Sequence, residues 1–262
     1  MPTENTTPGA GKPTPRNIGI DSLSVVPLFV ELVCNGGVLG SGTGFVVQKA
    51  NRSYLTTNWH VVTNRDPATG QPMNPSGTVP NEIRIWHHKK GHLGAWVRRT
   101  VALFSDRGEP NWIEHRRGRE VDVIAVPLSI DSEIQVYPME LSLADADLKL
   151  VPSEPVSIIG FPFGVTSSGL FPIWKTGHIA SDLDIDYDGK PMFIIDATTK
   201  AGMSGSPVVA RRIGSYTRKG GGMTVGRDIT RFLGIYSGRT IFDDQVEIGM
   251  VWRPEVLDEI LP

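Results

Sequence analysis

A single cysteine, Cys34, stands in a chain of 262 residues. No internal disulfide can form, so the core must hold itself and a reducing compartment suits the chain. Cys34 itself reads as a small buried hydrophobe. Long apolar runs are also missing: the best, Leu23 to Val33, is too short to span a bilayer, carries Pro27 and contains Glu31, so it reads as a first strand. Neither charge sign dominates, because 26 Lys and Arg stand against 28 Asp and Glu for a net charge of -2. That balance gives no nucleic-acid footprint and no acidic solvating tail. The opening MPTENTTPGAGKPTPRN lacks the basic-then-apolar order of an export signal. Residues 1–17 are therefore expected to be a disordered tail, and the protein to be cytoplasmic with no membrane and no nucleic-acid partner.

What the chain has in quantity is punctuation. Twenty-nine glycines and twenty prolines, with 21% charged residues, suit many short strands better than a helical bundle. VPLFVELVC, GTGFVVQ, SYLTTNW, EIRIWHH, AWVRRTVALF and DVIAVPL form a first series of strand-like segments. VSIIGFP, PIWKTGHIA, MFIIDAT, SPVVARRI, RFLGIYS and VEIGMVW form a second. The proline-punctuated stretch between them divides the chain into units over 18–137 and 156–262 joined by 138–155. The fold class expected is all-β, with two six-stranded units. WRPEVLDEILP, with Pro254 at a first helical position, closes the chain as a short helix on the barrel surface. Asn64 to Asn81 and Ser215 to Asp228 read as mobile surface loops. The basic clusters at 115–119 and 211–219 read as solvated faces.

Within KAGMSGSPVV, Lys200 to Val209, Ser204 is bracketed by Gly202 and Gly205. A plain turn into a strand explains Pro207 and the small residues, but not that bracket. A serine hydroxyl becomes nucleophilic only if an imidazole takes its proton and a third group orients the imidazole. Six histidines are available (His60, His87, His88, His92, His115 and His178), all ahead of Ser204. That order excludes the α/β-hydrolases, whose histidine follows the serine, and Ser206 stands where their elbow requires glycine. A subtilisin order needs an aspartate ahead of the histidine, and Asp21 is the sole candidate before His60.

His60 follows the strand-like YLTTNW and precedes Val61 and Val62, so its ring is expected at the end of a firm strand. His87, His88 and His92 are expected around a hairpin tip, and His115 among arginines. The i,i+4 spacing of His88 and His92 is interrupted by glycine, so neither a metal nor a cofactor is called for. Asp122 leads Val123-Ile124-Ala125-Val126, which makes it the midchain acid best placed for burial, where an imidazole N–H would satisfy it. Taken alone, with no partner known, it reads rather as a strand-edge turn residue. Gly202 would let its own N–H and that of Ser204 converge on one oxygen, an oxyanion hole built from main chain.

GSGTGFVV, YLTTNWHVV, VDVIAVPL, IIGFPFG, TGHIASD, AGMSGSPVV and LGIYSG, in this order from Gly40 to Gly238, together resemble the trypsin-like serine peptidases. The likeness is greatest to the bacterial, disulfide-free branch that includes the high-temperature-requirement proteases. It implies two perpendicular six-stranded β-barrels, with His60 as general base, Asp122 as orienting acid, Ser204 as nucleophile, and Gly202 with Ser204 as oxyanion donors. It also implies a specificity pocket walled by Thr198, Thr199, Lys200, Ala201, Tyr236, Ser237, Gly238 and Arg239, with Thr198 at a base that holds no acid. Met203 occupies the place of an aspartate that relatives use to pair with a freshly cut N-terminus, so no activating cleavage is expected. The chain after Val251 is too short for an appended PDZ domain, and control through one is not expected. The expected partner is a protein or peptide substrate, and no regulatory protein is specified. The reading from a different class is a retired barrel that binds peptide without cutting it.

Overall fold

A computed structural model describes residues 19–242 and 246–262; the tail expected over 1–17 lies outside them, as do the side chains of 239–247. The first half comprises β1 (Pro27–Cys34), β2 (Gly37–Lys49), β3 (Arg52–Thr57), helix α1 (Trp59–Thr63), β4 (Glu82–Lys89), β5 (Trp96–Ala102), β6 (Ile113–Glu114), β7 (Ile124–Leu128) and β8 (Ile134–Gln135). The second comprises β9 (Pro155–Gly160), β10 (Ile173–Ile179), β11 (Met192–Asp196), β12 (Pro207–Arg212), β13 (Ser215–Thr217), β14 (Met223–Val225), β15 (Ile229–Phe242), β16 (Val246–Trp252) and helix α2 (Glu255–Ile260). All strand pairings in both halves are antiparallel. The first sheet is barrel-like, in the order β5-β4-β1-β2-β3-β7-β6 with β8 on β4; the second closes as β10-β11-β16-β15-β12-β9. The six longer strands of each half are the six expected segments, and the first sheet adds two pairings only two residues long.

Burial explains why so many strands are apolar without alternation. In β2, Val46 points into its own barrel while Phe45 and Val47 point out of it; in β3, Leu55 and Tyr54 divide the same way. In the second barrel Ile158, Val208 and Val251 fill the interior, while Ile159, Val209 and Trp252 point outward. The outward sets meet in one shared apolar cluster, where the rings of Phe45 and Phe232 pack edge to face at 5.9 Å. Strands covered on both faces must be apolar on both, hence the uninterrupted runs. Helix α2 lays Val256, Leu257 and Ile260 onto this seam, with Pro254 at its N-cap, one place before the expected first helical position.

Several local expectations are corrected. His60 does not end a strand: β3 stops at Thr57, Asn58 stays extended, and His60 lies in the first turn of α1, where burial of Val61 and Val62 overrides their strand preference. His87 and His88 do flank the tip of the β4–β5 hairpin, where His88 pairs with Trp96, but their rings are buried rather than solvated, that of His88 against Trp96, Tyr137 and Phe171. Burial, and next the charge of Arg99, push His87 down to about 4, which keeps it neutral at pH 7. His92 is exposed in the turn beyond. His115 is buried beneath its arginine neighbours, with Nε2 2.9 Å from Glu259 of α2. The stretch expected as a loop over Ser215 to Asp228 holds the hairpin β13–β14. Cys34 is half-buried at the end of β1 rather than enclosed. No helix among the described residues is long and apolar enough to cross a membrane.

The seam makes one cooperative unit of the two barrels. Phe45→Ala is expected to lower unfolding free energy by about 3–5 kcal/mol while leaving a single transition, measured by urea denaturation. A second, separate transition for one barrel would contradict that coupling.

Candidate active site

Asp122 precedes β7 where the two barrels meet, and its residue is only 2% exposed. A carboxylate buried so deeply must be satisfied. Oδ1 accepts the backbone N–H of His60 at 2.9 Å, and Oδ2 lies 2.6 Å from His60 Nδ1. Oδ2 also accepts the hydroxyl of Ser237, from β15 of the other barrel. Asn58 Nδ2 donates to the Asp122 carbonyl at 2.6 Å and so fixes its main chain. Since an ionised carboxylate only accepts, the proton sits on Nδ1 and the lone pair of the neutral ring is on Nε2. Burial alone would depress the imidazole, but the charge and hydrogen bond of Asp122 outweigh it, with Asp66 adding to them, and hold His60 above its ordinary value.

Ser204 lies in the turn ahead of β12. Its carbonyl accepts Thr43 N–H from β2 at 2.9 Å. At Gly42 the chain runs between Val61, next to His60, and Ser204: a Cβ there would lie 2.8 Å from Val61 Cγ1 and 3.7 Å from Ser204 O. On the other side, a Cβ at Gly238 would lie 3.8 Å from Ser204 Oγ, and the adjoining Ser237 holds Asp122. His60, Asp122 and Ser204 are thus gathered where the barrels meet. Among the described residues no hydrogen bond joins Ser204 Oγ to the imidazole.

The turn itself demands glycine. Gly202 has φ +91° and Gly205 φ +85°; a Cβ at Gly205 would fall 1.9 Å from Thr43 O. The Ala201 carbonyl accepts Phe163 N–H at 2.6 Å, and the Met203 carbonyl accepts Ser206 N–H at 3.0 Å. In a trans peptide the N–H points opposite the C=O, so the amides of Gly202 and Ser204 are turned away from those donors. Among the described residues neither amide has a partner.

Burial varies from residue to residue along the expected pocket wall. Thr198 is exposed; Thr199 is the buried one, and its hydroxyl bonds the phenol of the fully buried Tyr236. Lys200 is half-buried, Ala201 exposed and Ser237 buried; Arg239's side chain lies outside the described ones. The sequence reading missed what Asn58, Thr57, Thr43 and Ser237 do for the site. For the first two a signal existed: polar residues ending an apolar strand, immediately ahead of the histidine, must find partners once buried.

Two antiparallel barrels meeting along an apolar seam, with this cluster where they join, define a chymotrypsin-like fold. A family model for the trypsin-like peptidase domain matches residues 42–215, more than half of the chain, and the chain belongs to that family. No curated protein sequence matches it. The serine endoprotease from Yersinia pestis resembles it at a TM-score of 0.50 and 14% identity, over 92% of this chain and 65% of that one. This chain therefore spans less than two thirds of that protein's length, and the likeness carries the fold. A thermostable serine protease from an extremophilic microorganism gives 0.48 and 14%, over 89% of this chain and 93% of that one.

His60 is expected to titrate above about 6.5 by NMR, and below it in Asp122→Asn, where burial persists without the charge. A folded pKa above the unfolded one means the pair's stabilisation is complete below the unfolded value and is lost as pH rises through the folded value. The melting-temperature gap between wild type and Asp122→Asn should narrow over that rise. An unchanged midpoint in the variant would refute the assignment of cause.

Proposed function

We propose that this chain is a serine endopeptidase acting through Ser204, His60 and Asp122. The observation that carries this reading is the buried Asp122 carboxylate, which receives Nδ1–H of His60 and so leaves Nε2 as the basic atom of the ring. Ser204 Oγ attacks a peptide carbonyl, its proton passing to Nε2, and the O–C bond forms as the carbonyl becomes an oxyanion. Collapse breaks the C–N bond, and the amine leaves with the proton from His60. Water then repeats the sequence on the acyl-enzyme. The unpartnered amides of Gly202 and Ser204 supply donors for the oxyanion. The described walls of the pocket offer no carboxylate, so a lysine or arginine side chain would meet no counter-ion there.

One observation favours the second reading, a cleft that grips peptide without cutting it: among the described residues no hydrogen bond joins Ser204 Oγ to the imidazole. Nucleophile–base bonds are commonly long until substrate arrives, so this does not outweigh the satisfied aspartate. Labelling decides between them. An active-site-directed fluorophosphonate is expected to modify wild type and not Ser204→Ala, and that variant should cut an unstructured protein about a thousandfold or more slowly while melting normally. Undiminished cleavage by Ser204→Ala, or an unlabelled wild type, overturns the peptidase reading.

A further inference from the structure

Thr43 is fully buried, and all its polar atoms are used on different segments. Its N–H donates to Ser204 O at 2.9 Å, and its carbonyl accepts Thr57 Oγ1 at 2.7 Å from the strand that leads to His60. Its hydroxyl donates to Gly202 O at 2.8 Å and accepts Phe161 N–H at 3.2 Å. One residue of the first barrel therefore grips the serine turn at two carbonyls.

The hydroxyl has a consequence the backbone contacts lack. Gly202, at φ +91°, is the residue least able to hold its own conformation. The peptide plane before its Cα is tethered by Phe163 N–H on the Ala201 carbonyl, and the plane after it by Thr43 Oγ1 on the Gly202 carbonyl. With both planes tied, both backbone dihedrals of the glycine are set, and with them the direction of its amide. Gly160 makes the room: a Cβ there would fall 2.7 Å from Thr43 Oγ1 and 2.0 Å from Ser206 Oγ.

We infer that the Thr43 hydroxyl is a positioning group for the oxyanion donors, acting through the Gly202 carbonyl rather than on substrate. This rests on the peptidase reading above. Thr43→Val keeps the shape and the main-chain bonds but removes the tether, whereas Thr43→Ser keeps the tether. In Thr43→Val, kcat on a fluorogenic peptide should fall on the order of tenfold to a hundredfold with KM within about twofold, since the loss is confined to transition-state charge. Affinity for a peptide boronic acid, whose tetrahedral adduct presents an oxyanion, should fall in parallel. Hydrogen exchange of the 202–204 amides should speed up, and Thr43→Ser should recover most of all three losses. If Thr43→Val fails to fold, Thr43→Ala takes its place at a temperature well below its melting point. Wild type that labels with fluorophosphonate beside a Thr43→Val protein of unaltered kcat and boronate affinity sinks this inference alone; so does a loss in KM only, or a Thr43→Ser as impaired as Thr43→Val. Wild type that does not label sinks the peptidase reading and this inference with it.

Discussion

The site depends on one buried charge. Asp122 sits where water cannot solvate it, and it is satisfied by His60 from the first barrel and Ser237 from the second. An uncompensated carboxylate at that depth would be strongly destabilising, so the two barrels are bound to meet with both donors in register. The same requirement orients the imidazole, fixes its tautomer and raises its proton affinity. Fold stability and chemical readiness are here consequences of one electrostatic demand.

The apolar seam makes that demand possible to meet. Phe45, Tyr54, Phe232 and Trp252 close the contact between the barrels, and the low-dielectric surroundings they create strengthen the hydrogen bonds nearby. At the edge of the seam, side chains give way to backbone. Gly42 and Gly205 let β2, α1 and the serine turn approach within distances no Cβ would allow, and Thr43 fills the remaining contact with hydrogen bonds. Packing thus hands over to polar contact where the proposed chemistry begins.

The strand segments were legible because each is apolar, short and bounded by turn residues, and twelve of the longer strands lie where those segments lie. Errors arose where burial contradicted local character. His87 and His88 look like polar residues beside a lysine-rich turn, yet both are enclosed, the His88 ring lying against Trp96, Tyr137 and Phe171. His115 hides under arginines because α2, 144 residues further along the chain, brings Glu259 to it.

By itself the sequence determined the two strand series and the glycine bracket around Ser204, because apolar periodicity and glycine usage are local properties, and it singled out His60 and Asp122 as candidates. Tertiary structure alone decided that Ser237 completes the aspartate's partners, that His60 rides on a helical turn, and that Thr43 ties down Gly202. Those contacts join residues far apart in the chain. Their energies exist only once water has been driven from the space between the barrels, which no stretch of sequence can express in isolation.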